Sequence, residues 1–156
     1  MLYLEIISMT FKPDHKDEAI LQLLQTDSSR TKKQISKSTG LPLTTVHNRI
    51  ARLERMGVIT GYRARVDASR LGYDVCAFIH ITVDYKTPNY SQEQTARRIR
   101  SLPGVESVAI VTGASDIIAK VRARKTEDLN HFLLNHLRKL PGIDKTTTIV
   151  VLQELD

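Results

Sequence analysis

Arg100-Ser-Leu-Pro-Gly-Val-Glu106 recurs 38 positions later as Arg138-Lys-Leu-Pro-Gly-Ile-Asp144, and this repeat decides the architecture of the second half of the chain. In each copy the proline stops a helix, because it has no amide hydrogen to donate, and the glycine supplies a left-handed turn into a strand. The spacing predicts a helix over about Ser91–Ser101 before the first copy and another over about Glu127–Lys139 before the second. Strands are expected ahead of these helices at Cys76–Tyr85 and Ile117–Arg124, and after them at Val105–Val111 and Thr146–Gln153. The order β-α-β then occurs twice. That is the ferredoxin-like βαββαβ arrangement, with two helices on one face of an antiparallel sheet.

Working outward toward the N-terminus, the hydrophobic period changes from strand-like to helical. Ile20, Leu21, Leu23 and Leu24 form an apolar stripe in a helix from about Asp14 to Gln25. Thr31 followed by Gln34 fits a capping box, which opens a short second helix with Ile35 inward and Gly40 as its stop. Val46, Ile50 and Leu53 recur at i, i+4, i+7 in a third helix over about Leu43–Met56. Val58–Val66 alternates around Gly61 and reads as a short β-ribbon, or wing. The expected fold class is therefore α+β: a leader over 1–13 that can add a strand, a winged helix-turn-helix over 14–67, a linker over 68–72, and a βαββαβ domain over 73–156.

The charge is uneven. The net charge is +6, and residues 28–72 hold 10 Lys or Arg against 2 Asp or Glu. A basic block beside a near-neutral remainder points to a polyanionic partner for one half, although a solvated basic surface would look the same. On a helical wheel with Val46, Ile50 and Leu53 inward, Thr44, Thr45, Asn48, Arg52 and Arg55 lie opposite, and His47 and Arg49 fall at the edges. Asn pairs with adenine, Arg with guanine, and Thr with bases or phosphates, so this face suits a DNA major groove. The N-terminal part of a recognition helix enters that groove, which assigns Thr44, Thr45 and Asn48 to bases and divides Arg52 and Arg55 between bases and phosphates. Lys32, Lys33 and Lys37 on the preceding helix, with Arg63 and Arg65 on the wing, are placed for phosphates. His47 reads equally as a surface residue. A protein-docking module or a nonspecific architectural DNA-binding protein remains as the alternative.

Gly40–Tyr62 resembles the recognition helix and wing of the Lrp/AsnC (feast/famine) transcription regulators. The resemblance continues through Asp67, Leu71-Gly72-Tyr73, Leu102-Pro-Gly-Val105, Val111-Thr-Gly113 with Asp116, and Leu140-Pro-Gly-Ile143. It implies a DNA-binding transcription regulator whose second domain, of the kind called RAM, makes homodimers that assemble further into tetramers or octamers. It also implies a small-molecule effector, commonly an amino acid, held by Thr112, Gly113, Ala114, Ser115 and Asp116, with Thr146 and Thr148 adding hydroxyls. Asp116 would take the effector's amino group and the amides around Gly113 its carboxylate. Asp116 also reads as a turn residue between two strands, and the threonines as ordinary strand residues. The chain departs from the family in three places. Ala114 and Ser115 stand where an acid and an aromatic are usual, Pro42 where a serine helix cap is frequent, and Met1–Ser8 is an additional leader, with Met9 a second candidate start.

Other classes fit less well. The longest apolar run, Ile149–Leu152, is too short to cross a bilayer, and the N-terminus lacks a basic leader, so a cytoplasmic protein without membrane partners is expected. No phosphate loop and no cysteine or histidine spacing for a metal appears, so no cofactor, no metal and no enzymatic activity are expected. Cys76 and His80 share a strand face by parity without an orienting acid, and His131 and His136 are five apart, off the spacing for one helix face. RNA binding through Phe78 and Tyr85 lacks the basic aromatic signature.

Overall fold

The computed structural model describes residues 12–86 and 90–154; the expected leader strand and the choice between Met1 and Met9 lie outside the described residues. The chain divides into two compact units, one ending at Val66 and the other beginning at Asp67.

The first unit is three helices: α1 (His15–Thr26), α2 (Lys32–Thr39) and α3 (Leu43–Arg55). Asp14 starts α1 through a capping box, accepting from the Lys16 and Asp17 amides while the Asp17 carboxylate accepts from the Asp14 amide. Thr31 and Gln34 form the same device at α2, and Gly40 ends that helix in the left-handed conformation. Ile20 and Leu24 of α1, Ile35 of α2, and Val46 and Ile50 of α3 close one core, with Leu53 fully buried as well. Truncating any of these isoleucines or leucines to alanine costs about 2–5 kcal/mol.

The expected wing does not form a β-ribbon, and no residue of Val58–Val66 is in a strand. A ribbon needs two facing runs of backbone, and even a complete two-stranded ribbon is marginal in water. Here a single run leaves α3, with the Val58 and Ile59 amides both donating to the Leu53 carbonyl at 2.9 and 3.2 Å, and continues irregularly through Gly61.

The second unit opens with a short 3-10 turn, Ser69–Leu71, and then follows β1 (Val75–Val83), α4 (Gln92–Arg100), β2 (Val105–Ile110), β3 (Ile117–Ala123), α5 (Thr126–Asn135) and β4 (Ile143–Val150). All strand pairs are antiparallel in the order β2-β3-β1-β4. Ala77, Ile79, Ile81 and Val83 of β1 face the helices with Ile117, Ala119, Val121 and Ala123 of β3, and Ala96, Ile99, Leu129, Phe132 and Leu137 cover them. Cys76, Phe78, His80 and Thr82, at the alternate positions, look the other way. The glycines of the repeat are tightly approached: a Cβ on Gly104 would sit 2.5 Å from the Arg122 carbonyl oxygen, and one on Gly142 would sit 2.5 Å from the Tyr90 ring. Both are left-handed, so the repeat places glycine where no other residue fits.

Several boundaries differ from expectation: β1 ends at Val83 rather than Tyr85, and β4 ends at Val150 rather than Gln153. The last strand begins at Ile143 rather than Thr146, because Ile143 already pairs with Val83 across a register shift. The last helix stops at Asn135 and reforms as a 3-10 turn over Leu137–Lys139. That break brings His131 and His136 together, ring centroids 5.4 Å apart and edge to face, where an unbroken helix would separate them.

Candidate nucleic-acid interface and effector loop

Helix α3 starts at Pro42 without any side-chain cap, so its first amides are satisfied by nothing on the residue before them. Its inward stripe is Val46, Ile50 and Leu53, all buried. Thr44, His47, Asn48, Arg52 and Arg55 are exposed and Thr45 is half-buried, which leaves a polar outer face on the opposite side. Among the described residues the side chains of Thr44, Asn48 and Arg55 make no hydrogen bond or ion pair. Lys32 of α2 reaches His47, Nζ to Nδ1 at 2.9 Å. The ammonium has only protons to give, so Nδ1 accepts and Nε2 is left as the donor. Lys33 and Lys37 on α2, and Arg63 and Arg65 on the segment after α3, are exposed.

Arg49 does not join this face. It sits about 140° round the helix from Thr44, beside the core stripe, and turns toward α1. Its Nη1 lies 2.8 Å from Asp14 Oδ1, 2.9 Å from Asp14 Oδ2 and 2.8 Å from Asp17 Oδ1. Asp17 is 1% exposed, so its carboxylate needs a cation, and Arg49 supplies it. The two carboxylates hold the guanidinium above its ordinary range, Asp17 most strongly. The Asp14 carboxyl is lowered to about 2, first by the Asp17 amide donating to it, and by Arg49. Arg49 therefore locks α3 onto the start of α1 and fixes how the outer face is presented. The one acid on α3, Glu54, is likewise engaged: the Tyr62 hydroxyl donates to it at 2.8 Å. Sequence reasoning missed Tyr62 and the Asp14–Asp17 pair, although the Asp14-x-x-Asp17 spacing is itself a capping signature.

The loop Thr112–Asp116 joins β2 to β3. Asp116 extends the β1 ladder past its last paired residue. Its amide donates to the Ile81 carbonyl at 2.9 Å, and its Oδ2 accepts from the Val83 amide at 2.9 Å. Oδ1 accepts from the Tyr85 hydroxyl at 2.7 Å, and Gln92 Nε2 donates to the Asp116 carbonyl at 3.1 Å. Ser115 is buried, its hydroxyl 3.1 Å from His80 Nδ1. Thr112, Gly113 and Ala114 are exposed.

Thr146 and Thr148 are not brought to this loop. They pair with Ile81 and Ile79 on the β4 side of β1, while the loop lies on the β3 side, and the Thr146 hydroxyl accepts from Arg138 Nε at 3.1 Å. A single chain thus holds the seven expected effector contacts in two groups with β1 between them. Among the described residues no cluster of three or more His, Cys, Asp or Glu is arranged to hold a metal ion, and no helix is long and apolar enough to cross a membrane.

Residues 76–156 match the family model described as the Lrp/AsnC ligand binding domain, and residues 13–60 match one described as a winged helix-turn-helix DNA-binding domain. The HTH-type transcriptional regulator FL11 of Pyrococcus horikoshii is 36% identical over 140 residues, covering 90% of this chain and 89% of that protein. The structure of E. coli AsnC is similar at 30% identity with a TM-score of 0.78, over 92% of this chain and 95% of that one. The transcriptional regulator NMB0573 of Neisseria meningitidis, solved as a complex with L-Met, shares the fold with a TM-score of 0.84 at 24% identity, over 93% of each chain.

Proposed function

The chain belongs to the Lrp/AsnC family of DNA-binding transcription regulators, and we propose that it acts as a homodimer on a pseudopalindromic double-stranded site, with α3 in the major groove. The observation that carries this reading is the outer face of α3, where Thr44, Asn48 and Arg55 point outward with no partner among the described residues. Side chains in that state add hydrogen bonds to base edges without first breaking any of their own. Thr44, Thr45 and Asn48 read bases, and Arg52 and Arg55 divide between bases and phosphates. Lys32, Lys33, Lys37, Arg63 and Arg65 neutralise phosphates and set the register. His47, held by Lys32, offers its Nε2 proton to the backbone or a base. Arg49 acts from behind, by orienting the helix.

The second unit joins the two copies and senses an amino acid at Thr112–Asp116, in keeping with the ligand-binding domain that its sequence matches. Thr146 and Thr148 contribute when a second copy or a higher assembly closes the site. A DNA-binding regulator with no membrane-spanning helix among its described residues works in the cytoplasm.

Selection of bound duplexes from a random pool tests the DNA reading. Two inverted half-sites are expected, with centres separated by about 10 base pairs or a small multiple of that. A single half-site, or no enrichment over random sequence, would contradict the paired-helix reading and favour an architectural protein.

A further inference from the structure

The Asp116 carboxylate would receive an effector's ammonium group, yet the structure shows it already occupied. Oδ2 accepts from the Val83 amide, which is a fold contact, while Oδ1 accepts from the Tyr85 hydroxyl at 2.7 Å. Tyr85 is 63% exposed, so no buried surface holds its ring in place. Its only described ring neighbour is Tyr90, edge to face at 5.7 Å. Ala114 brings no acid to the loop, and the Ser115 hydroxyl is turned to His80. Asp116 is thus the one anion in the loop, and a residue from beyond the end of β1 holds its outer oxygen.

We propose that Tyr85 is an internal competitor at this loop, a resident donor that an incoming α-amino acid must displace by setting its ammonium group where the phenol hydroxyl sits. This rests on the reading of Thr112–Asp116 as the effector loop. An ammonium brings a full charge and three protons to the carboxylate, against one proton from a neutral phenol, so the exchange favours the ligand. The carboxylate pushes the Tyr85 phenol above its ordinary range, which keeps it a protonated donor across neutral pH. The exchange also has a route into the fold. Tyr90 lies against both Tyr85 and the Gly142 turn, and the Asp84 amide donates to the Gly142 carbonyl at 2.9 Å. Tyr90 thus links the ring that would be displaced to the turn that starts β4, the edge strand bearing Thr146 and Thr148.

Titration calorimetry of the full-length wild type, Tyr85→Phe and Asp116→Asn against each of the twenty amino acids tests this. Asp116→Asn keeps a carbonyl oxygen for the Val83 amide, and melting curves verify that each variant is folded. Any amino acid that binds the wild type should bind Tyr85→Phe about tenfold tighter, because removing an internal competitor raises the competent fraction. It should not bind Asp116→Asn. Equal affinity for wild type and Tyr85→Phe, with Asp116→Asn silent, would leave the effector loop standing and overturn the role of Tyr85. Weaker binding by Tyr85→Phe would make Tyr85 a ligand contact and also overturn it. If no amino acid binds any of the three, the effector reading falls and Tyr85 falls with it.

Discussion

On α3 the side chains of Thr44, Asn48 and Arg55 make no hydrogen bond or ion pair among the described residues, whereas the Asp116 carboxylate in the second unit already accepts two hydrogen bonds from its own chain. The two surfaces carry similar polar chemistry and differ in how far it is satisfied. A partner of the first surface adds contacts to groups that face water. A partner of the second must first displace something. Truncation should therefore weaken binding on α3, while at the loop removing an internal donor should strengthen it. The contrast also separates residues that touch a partner from residues that hold the surface in place, and Arg49 is the clearest of the second kind.

The largest expected effect falls on that bracing. Arg49→Ala leaves the buried Asp17 carboxylate without its cation and should destabilise the first unit by about 3 kcal/mol in chemical denaturation. Whatever protein stays folded should keep its base preference. An altered preference with unchanged stability would move Arg49 to the contacting set and break the distinction. Arg52→Ala comes next: specific binding should weaken by about 1–3 kcal/mol, with relaxed discrimination at one base position, as read in a panel of single-base variants. Lys37→Ala should cost less and cost it uniformly. Affinity should fall on all duplexes, and the slope of log affinity against log salt should shrink by about 1. A sequence-dependent loss there would turn Lys37 into a base reader.

The smallest effect is set by pH. Asp14 is lowered from its ordinary 3.8 to about 2, so its contribution to folding is fully present above the ordinary value and is lost as pH falls through about 2. Melting curves of wild type and Asp14→Asn should therefore differ at neutral pH and converge below about pH 2. Curves that stay equally separated at every pH would show that the cap works without its charge.

The same contrast explains what was legible in the sequence. The core stripe of α3, the Thr31–Gln34 cap and the Leu-Pro-Gly repeat are local patterns, with partners a few residues apart, and each maps directly onto an element. What was missed is long-range. Arg49 meets Asp14 and Asp17 across 35 and 32 residues, and Tyr85 meets Asp116 across 31, separations with no local signature. β4 starts at Ile143, earlier than the expected Thr146, and the register of Ile143 against Val83 appears only once β1 is in place. Val58–Val66 has the alternation of a strand but no partner strand, and alternation alone does not make a ladder.

The central claim is that the outer face of α3 reads a DNA sequence. Its most direct test is fluorescence anisotropy of the full-length protein against the duplex selected from a random pool, beside a scrambled duplex of equal length, at one salt concentration near physiological. Tight binding to the selected duplex alone, abolished in Asn48→Ala/Arg52→Ala while the melting curve is unchanged, is the predicted result. Equal binding of both duplexes, or selected-duplex binding that survives the double substitution, would contradict it.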